Sequence, residues 1–555
     1  MNEDLIREFR EAVSSGLCSR TLTTCSRWAE YRRVMGEPFS GPYRFTYHPW
    51  CREISDSKAS FNTAMKAAQM GVTEVAINRA FYTVDVLKKD VLYVLPTSIN
   101  ASDFSKARFS TALLNSDYLK SIFTDTNTVG LKQAGGVNLY IRGSRGDSNL
   151  KSIPVSTLIL DEVDEMDQKQ IWLALERLSG HIEKWVWSIS TPTIPKYGIH
   201  KLFLQGTQEH WTFQCPHCSK WTELIWPDCI EIIGEHVNDP CCKESYLKCK
   251  ECNHKLEQKD KPEFLGLGKW NVTAHDCDPS HRSFYINQLY SYTVNPSDIV
   301  IAYFRGVGDE AASTEFHQSK LGQPYLGEGA QVSDEDIESC LRNHTKQDAR
   351  PATGGGRLIT MGIDQGKWNY IVVVEWTVKE MGRDINVAAV GRLLWEGKLP
   401  GDEFDRLDNL MRDWQILSCV IDADPQPNDA RRFARRFPGY VTLCRYRRGQ
   451  SGKEISVVED ELGTPTATVD RTSWLDATLG RYKTQRLFLP RDLSREYRDH
   501  IKSLVRTYEK DNTGNPVARY VETSADHYAH AQNYAEIALP LAASYRTNRN
   551  IGAFL

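Results

Sequence analysis

The stretch TLILDEVDEMD, Thr157–Asp167, ends a β-branched apolar run in two adjacent carboxylates, Asp161 and Glu162. A buried parallel strand delivers acids to its carboxyl end in this way, and open α/β sheets bind ligands at that edge. An aspartate there can hold Mg²⁺ through water, and a glutamate beside it can orient a water for attack on a γ-phosphate. About 90 residues upstream lies MKAAQMGVTEVAINRAF (65–81). No GxxxxGK[ST] sequence exists here, and Val72 holds the position where that pattern has lysine. The needs of a phosphate site are backbone N–H groups, a helix N-terminus and one cation. Gly71 can give the close backbone approach, Thr73 a hydroxyl for Mg²⁺ as a helix begins, and Lys66, at the loop's start, the charge. SISTP follows the next strand, and Ser190 and Thr191 in it are placed to sense the γ-phosphate and couple its loss to motion.

Three further acids stand at the ends of elements in the C-terminal half. GIDQGKW puts Asp364 at a strand end, LSCVIDADPQ puts Asp422 and Asp424 at another, and ETSADHYAHAQ puts Asp526 at the start of a helix with His527 and His530 behind it. Three separated carboxylates are what a two-metal phosphodiesterase needs, one ion activating water and the other stabilising the leaving oxygen. Asp424 competes with Asp422, because alternation along a strand would put both on one face, and His527 is an alternative metal ligand. Between Ala430 and Lys453 there are eight Arg or Lys and no acids. ARRFARRF sets Arg431, Arg432, Arg435 and Arg436 on a helical face, and CRYRRGQSGK adds Arg447 and Arg448 in a basic loop, a stripe suited to backbone phosphates.

Fourteen cysteines include eight between Cys215 and Cys277. CPHC (215–218) and CKEC (249–252) form two Cys-x-x-Cys knuckles separated by 30 residues, the geometry that gathers Cys215, Cys218, Cys249 and Cys252 around one tetrahedral Zn²⁺. Cys241, Cys242, Cys277, His217 and His254 lie close enough to compete. With no open position such a site is structural, stiffening an excursion between the two α/β units.

The elements that must position these groups follow from patterning. The 555 residues allow three or four domains, and 41% hydrophobic with 25% charged residues is ordinary for a globular chain. A net charge of −4 argues against a uniformly basic coat, so any DNA contact comes from local patches. The acidic start MNEDLIREFREAV is no signal peptide, and no apolar run reaches the roughly 18–20 residues of a membrane span, so the chain reads as cytosolic. Residues 1–40 read as a charged helical segment. Residues 41–210 alternate strands and helices, 211–256 are the ribbon, and 257–350 a linker or the remainder of the first domain. DARPATGGGR (348–357) marks a boundary, and 351–555 form a second α/β unit.

Taken in order, KAAQMGVTE, VLYVLPT, LILDEVDEMD, STP, CPHC and GIDQG resemble the large terminase subunit of tailed bacteriophages, in the lambda-like branch. The resemblance implies a P-loop (RecA/ASCE-like) ATPase domain with a zinc-ribbon insertion, followed by an RNase H-like nuclease. It implies ATP, Mg²⁺ or Mn²⁺, and Zn²⁺ as cofactors. It implies an ATP site of Lys66, Gln69, Gly71, Thr73, Asp161 and Trp50, with Lys66 on the phosphates, Thr73 and Asp161 on Mg²⁺, Glu162 as base and Trp50 as the adenine-contacting aromatic. Such ATPases use an arginine from a neighbouring subunit, for which Arg108, Arg142 and Arg145 are candidates. It further implies work on double-stranded DNA as a ring, five-membered, on the portal protein of the procapsid. A small terminase subunit would select the site. The location would be the host cytoplasm and, transiently, the portal, not the mature virion. The rivals are a helicase- or recombination-type ATPase without a nuclease, and a non-catalytic DNA-binding assembly protein.

Overall fold

The computed structural model describes residues 23–145, 150, 153–327, 329–347, 357–378, 385–447, 452–510 and 516–552. The expected helical segment before residue 23, most of the 348–357 boundary and Arg448 lie outside them. The chain divides into two units, Met1–Gly327 and Glu328–Leu555.

In the first unit the strands that form the parallel part of the main sheet are β1 (Phe61–Lys66), β2 (Val91–Leu95), β3 (Val137–Gly143), β4 (Thr157–Asp161), β5 (Trp185–Ser190), β6 (Glu209–Gln214) and β7 (His281–Ile286), with helix α1 (Val72–Tyr82) after β1. They run parallel in the order β6-β7-β1-β5-β4-β2-β3. Every residue of VLYVL and TLILD is buried, as a parallel sheet covered on both faces requires. The register matters for the site. Met65 lies opposite Ser190, and Asp161 opposite Ile189. The loop strand β1 and the acid strand β4 therefore flank β5, and Lys66, Ser190 and Asp161 all emerge at one carboxyl edge.

The stretch expected as linker or remainder holds β7, which inserts between β6 and β1 in this sheet. The Cys-rich excursion consequently leaves and re-enters the same sheet, between neighbouring strands β6 and β7. This corrects the expectation that it spans the two α/β units. Hydropathy alone could not show it, because a returning strand is defined by its partner.

The second unit is built on β8 (Arg357–Asp364), β9 (Trp368–Val378), β10 (Ala389–Pro400), β11 (Ser418–Asp422) and β12 (Val441–Arg447), in the order β10-β9-β8-β11-β12. The first three are antiparallel and the last two parallel to β8, an RNase H-like core. Helix α2 (Pro427–Arg436) connects β11 to β12, and helix α3 (His527–Gly552) crosses β8. The crossing is close: a Cβ at Gly362 would collide with the Ala531 carbonyl oxygen. Thr360 Oγ1 donates to the Ala535 carbonyl at 2.8 Å, and the buried Glu536 carboxylate receives Arg481 at 2.5 and 2.6 Å. These contacts seat the start of α3 over the end of β8. Gly362→Ala is expected to cost at least about 1–3 kcal/mol by overpacking against backbone. A thermal melt checks it, and an unchanged midpoint would mean the helix sits elsewhere.

Candidate functional site

At the carboxyl edge of the first sheet, Lys66, Gln69, Gly71, Thr73, Glu162 and Thr191 line one cavity of about 290 Å³, together with Arg108 and Glu74. Gly71 turns with φ +78 to start α1. The loop is held from behind: Gln288 Nε2 donates to the Ala68 carbonyl at 2.8 Å and the His48 ring sits where a Gly71 Cβ would fall, 2.9 Å away. Trp50 is fully buried and donates Nε1 to the Met70 carbonyl at 2.9 Å. It braces the loop and offers no free ring face, which corrects the adenine assignment. Half-buried rings lie nearby: Phe39 stacks on Tyr47 and Tyr47 packs at a tilt against Tyr292, each at 4.7 Å, with Phe39 edge-on to His48.

Lys66 Nζ reaches Glu162 Oε1 at 3.5 Å and donates to Thr191 Oγ1 at 3.4 Å, so the unusual cation position and the acid strand do meet. Gln69 and Glu162 both hold positive φ, +60° and +62°. That left-handed backbone costs a non-glycine residue on the order of 1 kcal/mol and gathers at functional sites. Asp161 is buried and does not itself line the cavity, though its neighbour Glu162 does. Burial and then the Glu162 charge push its carboxyl up to about 7, against Tyr93, Lys66 and Arg108. Tyr93 OH donates to one of its oxygens, and the other, buried, has no protein partner. Such a carboxylate fits a divalent cation.

Arg108 enters its own subunit's cavity, bonded at 2.9 Å to a Glu74 that Arg33 also holds. Arg142 is turned onto the Gly130 and Ile141 carbonyls. Arg145 is exposed.

Sequence reasoning passed over Asp164, the third acid of DEVD. It is buried, its carboxyl pushed up to about 7 by that burial. It accepts from Thr193 N and Oγ1, both at 2.7 Å, and from Ile199 N at 2.6 Å. Ser190 Oγ accepts the Asp164 amide at 3.2 Å. The acid turn and the STP loop are thereby one bonded unit. The acid's position in an alternating Asp/Glu run was the available signal.

The four knuckle sulfurs, of Cys215, Cys218, Cys249 and Cys252, lie within 4.8 Å of one another, and among the described residues no other set of three or more His, Cys, Asp or Glu does so. Cys215 and Cys252 are 3.9 Å apart, against about 3.8 Å for a tetrahedron with Zn–S of roughly 2.3 Å. The two knuckles repeat one backbone: Ser219 N to Cys215 O and Asn253 N to Cys249 O, with Ser219 and Asn253 at φ +59 and +56. His217 and His254 stack on each other at 3.9 Å and, with Cys241, Cys242 and Cys277, stay out of the cluster.

In the second unit Ile363 pairs with Ile421 in a parallel register, so Asp364 and Asp422 follow side by side on one face. Burial, then the charge of Asp364, pushes Asp422 up to about 6. Gln365 Nε2 clamps the Asp422 carbonyl at 2.7 Å, a contact that the Gln of GIDQG could have signalled. Asp424 lies beyond the strand end, exposed and 3.5 Å from Arg445, so strand alternation does not reach it. His527 Nδ1 is 2.8 Å from Asp364 Oδ2 and its ring stacks on Tyr370 at 4.6 Å. Burial alone would raise Asp526, but His530, at 3.1 Å, with Arg471 and His527, holds it below the usual carboxylate range. His530 is fixed in turn by Tyr446 at 2.9 Å. Tyr446 and Arg471 come from remote elements and carry no sequence signal. Carboxylate oxygens at adjacent strand ends and a helix start suit hard divalent ions, though the three acids are not gathered within 4.8 Å of one another as the four thiols are.

The basic stripe is largely spoken for. Arg431 pairs with Asp460 at 2.6 Å, Arg436 with Asp408 at 2.8 Å, Arg432 with Asp429, and Arg435 donates to the Leu462 carbonyl at 3.2 Å. Arg431 and Arg435 face one neighbour and Arg436 another, which corrects the single free face expected. Arg432, exposed at 72%, and Arg447, at the open end of β12, remain outward.

Residues 38–270 match the family model described as phage terminase large subunit gpA, ATPase domain, and residues 281–413 the model described as terminase large subunit gpA, endonuclease domain. The second match begins within β7 and ends before Asp422 and Asp526, leaving Asp364 as the matched acid. No curated protein matches the chain in sequence. The crystal structure of the HK97 bacteriophage large terminase is similar at a TM-score of 0.50 and 10% identity, over 94% of this chain and 99% of that one. The large terminase of a thermophilic bacteriophage, in its second crystal form, follows at 0.30 and 11%, over 87% and 93%. The large terminase nuclease of another thermophilic phage follows at 0.21 and 15%, over 37% and 97%. The last two likenesses are too loose to bear on the fold.

Proposed function

The chain belongs to the gpA family of phage terminase large subunits, DNA-packaging motors that join an ATPase to an endonuclease, and from that premise we propose which residues carry each reaction. Family membership over both domains sets aside the rivals without a nuclease or without catalysis. No helix among the described residues is long and apolar enough to cross a membrane.

In the first unit the loop amides from Gln69 to Thr73, Lys66 and the N-terminus of α1 hold the ATP phosphates. Thr73 and Asp161 hold Mg²⁺, which when bound neutralises the charge that develops on the phosphate oxygens. Glu162 orients the attacking water and takes its proton. Ser190 and Thr191 sense the γ-phosphate. The observation that carries this reading is the meeting of Lys66, Glu162 and Thr191 around one cavity. ATP hydrolysis by Lys66→Ala tests it, and a wild-type rate would end it.

In the second unit Asp364, Asp422 and Asp526 hold two Mg²⁺ or Mn²⁺ ions. His527 fixes Asp364, and His530 fixes Asp526. Arg432 and Arg447 touch the DNA backbone. Because Asp422 titrates near 6, its carboxylate form, the one that binds metal, is lost as pH falls through that value. Apparent Mg²⁺ affinity is expected to weaken about tenfold per pH unit below about 6 and to level off above it. Metal titrations of plasmid nicking on both sides of that pH check this, and a flat profile would remove Asp422 from the site.

The four knuckle cysteines hold structural Zn²⁺. Metal analysis is expected to find about one zinc per chain, lost in Cys249→Ser together with several degrees of thermal stability. Zinc-free, equally stable protein would leave the thiols without that role. The partners proposed are double-stranded DNA, a small terminase subunit, the portal protein and four further copies of this chain in a ring. The site of action is the host cytoplasm and, briefly, the portal, not the mature virion.

A further inference from the structure

The segment that closes the first unit grips the nucleotide cavity from outside. Helix Glu310–Glu315 continues into Phe316–Leu321, and Gly322 turns away with φ +62. Ser319 O receives the Ala68 amide at 2.9 Å. A Cβ at Gly322 would fall 2.5 Å from Ala67 N, so the turn lies directly against the phosphate loop's entry. Gln318 Nε2 donates to the Thr193 carbonyl at 2.7 Å, and the Tyr325 amide donates to the same carbonyl at 3.0 Å. The Tyr325 ring stacks on His317 at 4.2 Å, and its hydroxyl accepts from Ser313 at 3.1 Å.

Thr193 is thus tied from two sides. Its amide and hydroxyl go to Asp164 in the acid turn. Both lone pairs of its carbonyl go to the closing segment. One residue separates it from Thr191, which receives Lys66, and that residue is Pro192, whose ring fixes φ. A displacement of Thr193 is therefore passed to Thr191 with little slack.

We propose that Gln318 and the Tyr325 amide are positioning groups for nucleotide hydrolysis. They set Thr191 against Lys66, and the occupancy of the cavity in turn sets the posture of residues 322–327, the segment that runs into the second unit. By linkage, whatever holds that segment biases the cavity equally. The proposal rests on the assignment of Lys66 to the phosphates.

In the full chain, Gln318→Leu is expected to lower kcat for ATP about five- to tenfold, with KM changed by less than about twofold. Tyr325→Pro, which deletes the amide, should do the same, and Tyr325→Phe, which keeps amide and stack, should not. In the wild-type protein a non-hydrolysable ATP analogue should change the rate of limited proteolysis between Gly322 and Gln347, and Gln318→Leu should abolish that response. Wild-type kcat in both Gln318→Leu and Tyr325→Pro would overturn the proposal. So would rates that fall only in step with thermal stability while the analogue response persists. Lys66→Ala separates the two failures. If it hydrolyses ATP normally, the cavity assignment is wrong; if it is inactive while Gln318→Leu is normal, this inference alone falls.

Discussion

Asparagine at position 364 is expected to cost the protein its DNA cutting, by about a hundredfold or more, while ATP hydrolysis continues unchanged. The size follows from the carboxylate's place. Asp364 is buried at the end of the central strand β8, beside Asp422 in register and bonded to His527 at 2.8 Å. Removing an outer-shell partner of a metal ligand already costs roughly 10–100-fold, so removing a carboxylate that would itself hold the metal costs more. Asparagine keeps the shape and the hydrogen bond to His527, which makes misfolding a poor explanation for the loss. Asp364 and the cavity lined by Lys66 and Glu162 belong to separate compact units, so hydrolysis is spared. Mg²⁺-dependent plasmid nicking beside an ATPase assay reads both. Nicking at the wild-type rate would show that the acids of the second unit are not the cutting site.

Glutamine at position 162 is expected to reverse the pattern, lowering kcat for ATP by about 10²–10⁴-fold while nucleotide still binds. Glu162 is held in a left-handed backbone at φ +62, its amide donating to the Ile189 carbonyl at 2.8 Å. Its side chain therefore projects from the strand end toward Lys66 whatever its charge. Glutamine preserves that projection and removes only the ability to take a proton from water. Binding of a fluorescent ATP analogue should match the wild type. A rate within a few-fold of wild type would move the base elsewhere in the cavity.

Several of these assignments were legible in the chain, each for a local reason. Strand-end acids were found because a buried strand is a contiguous apolar run and its terminus is marked by the first charge, as at Asp161, Asp364 and Asp422. The knuckles were found because a Cys-x-x-Cys turn is fixed by four consecutive residues, and the structure repeats that turn twice. The lysine at the loop's start was readable because a cation need only reach the phosphates, and Lys66 does reach Glu162.

The chain by itself determined two acid-tipped α/β units and a four-thiol cluster, because strand alternation, strand ends and tight turns are written in adjacent residues. Only the tertiary structure decided that Trp50 is buried support, that β7 returns to the first sheet between β6 and β1, and that Asp164 fastens the acid turn to the STP loop. It also decided that Arg431 and Arg436 are answered by Asp460 and Asp408. The physical reason is that burial and charge compensation are properties of neighbours, and those neighbours come from residues tens to hundreds of positions away, whose approach is set by strand order rather than by sequence spacing.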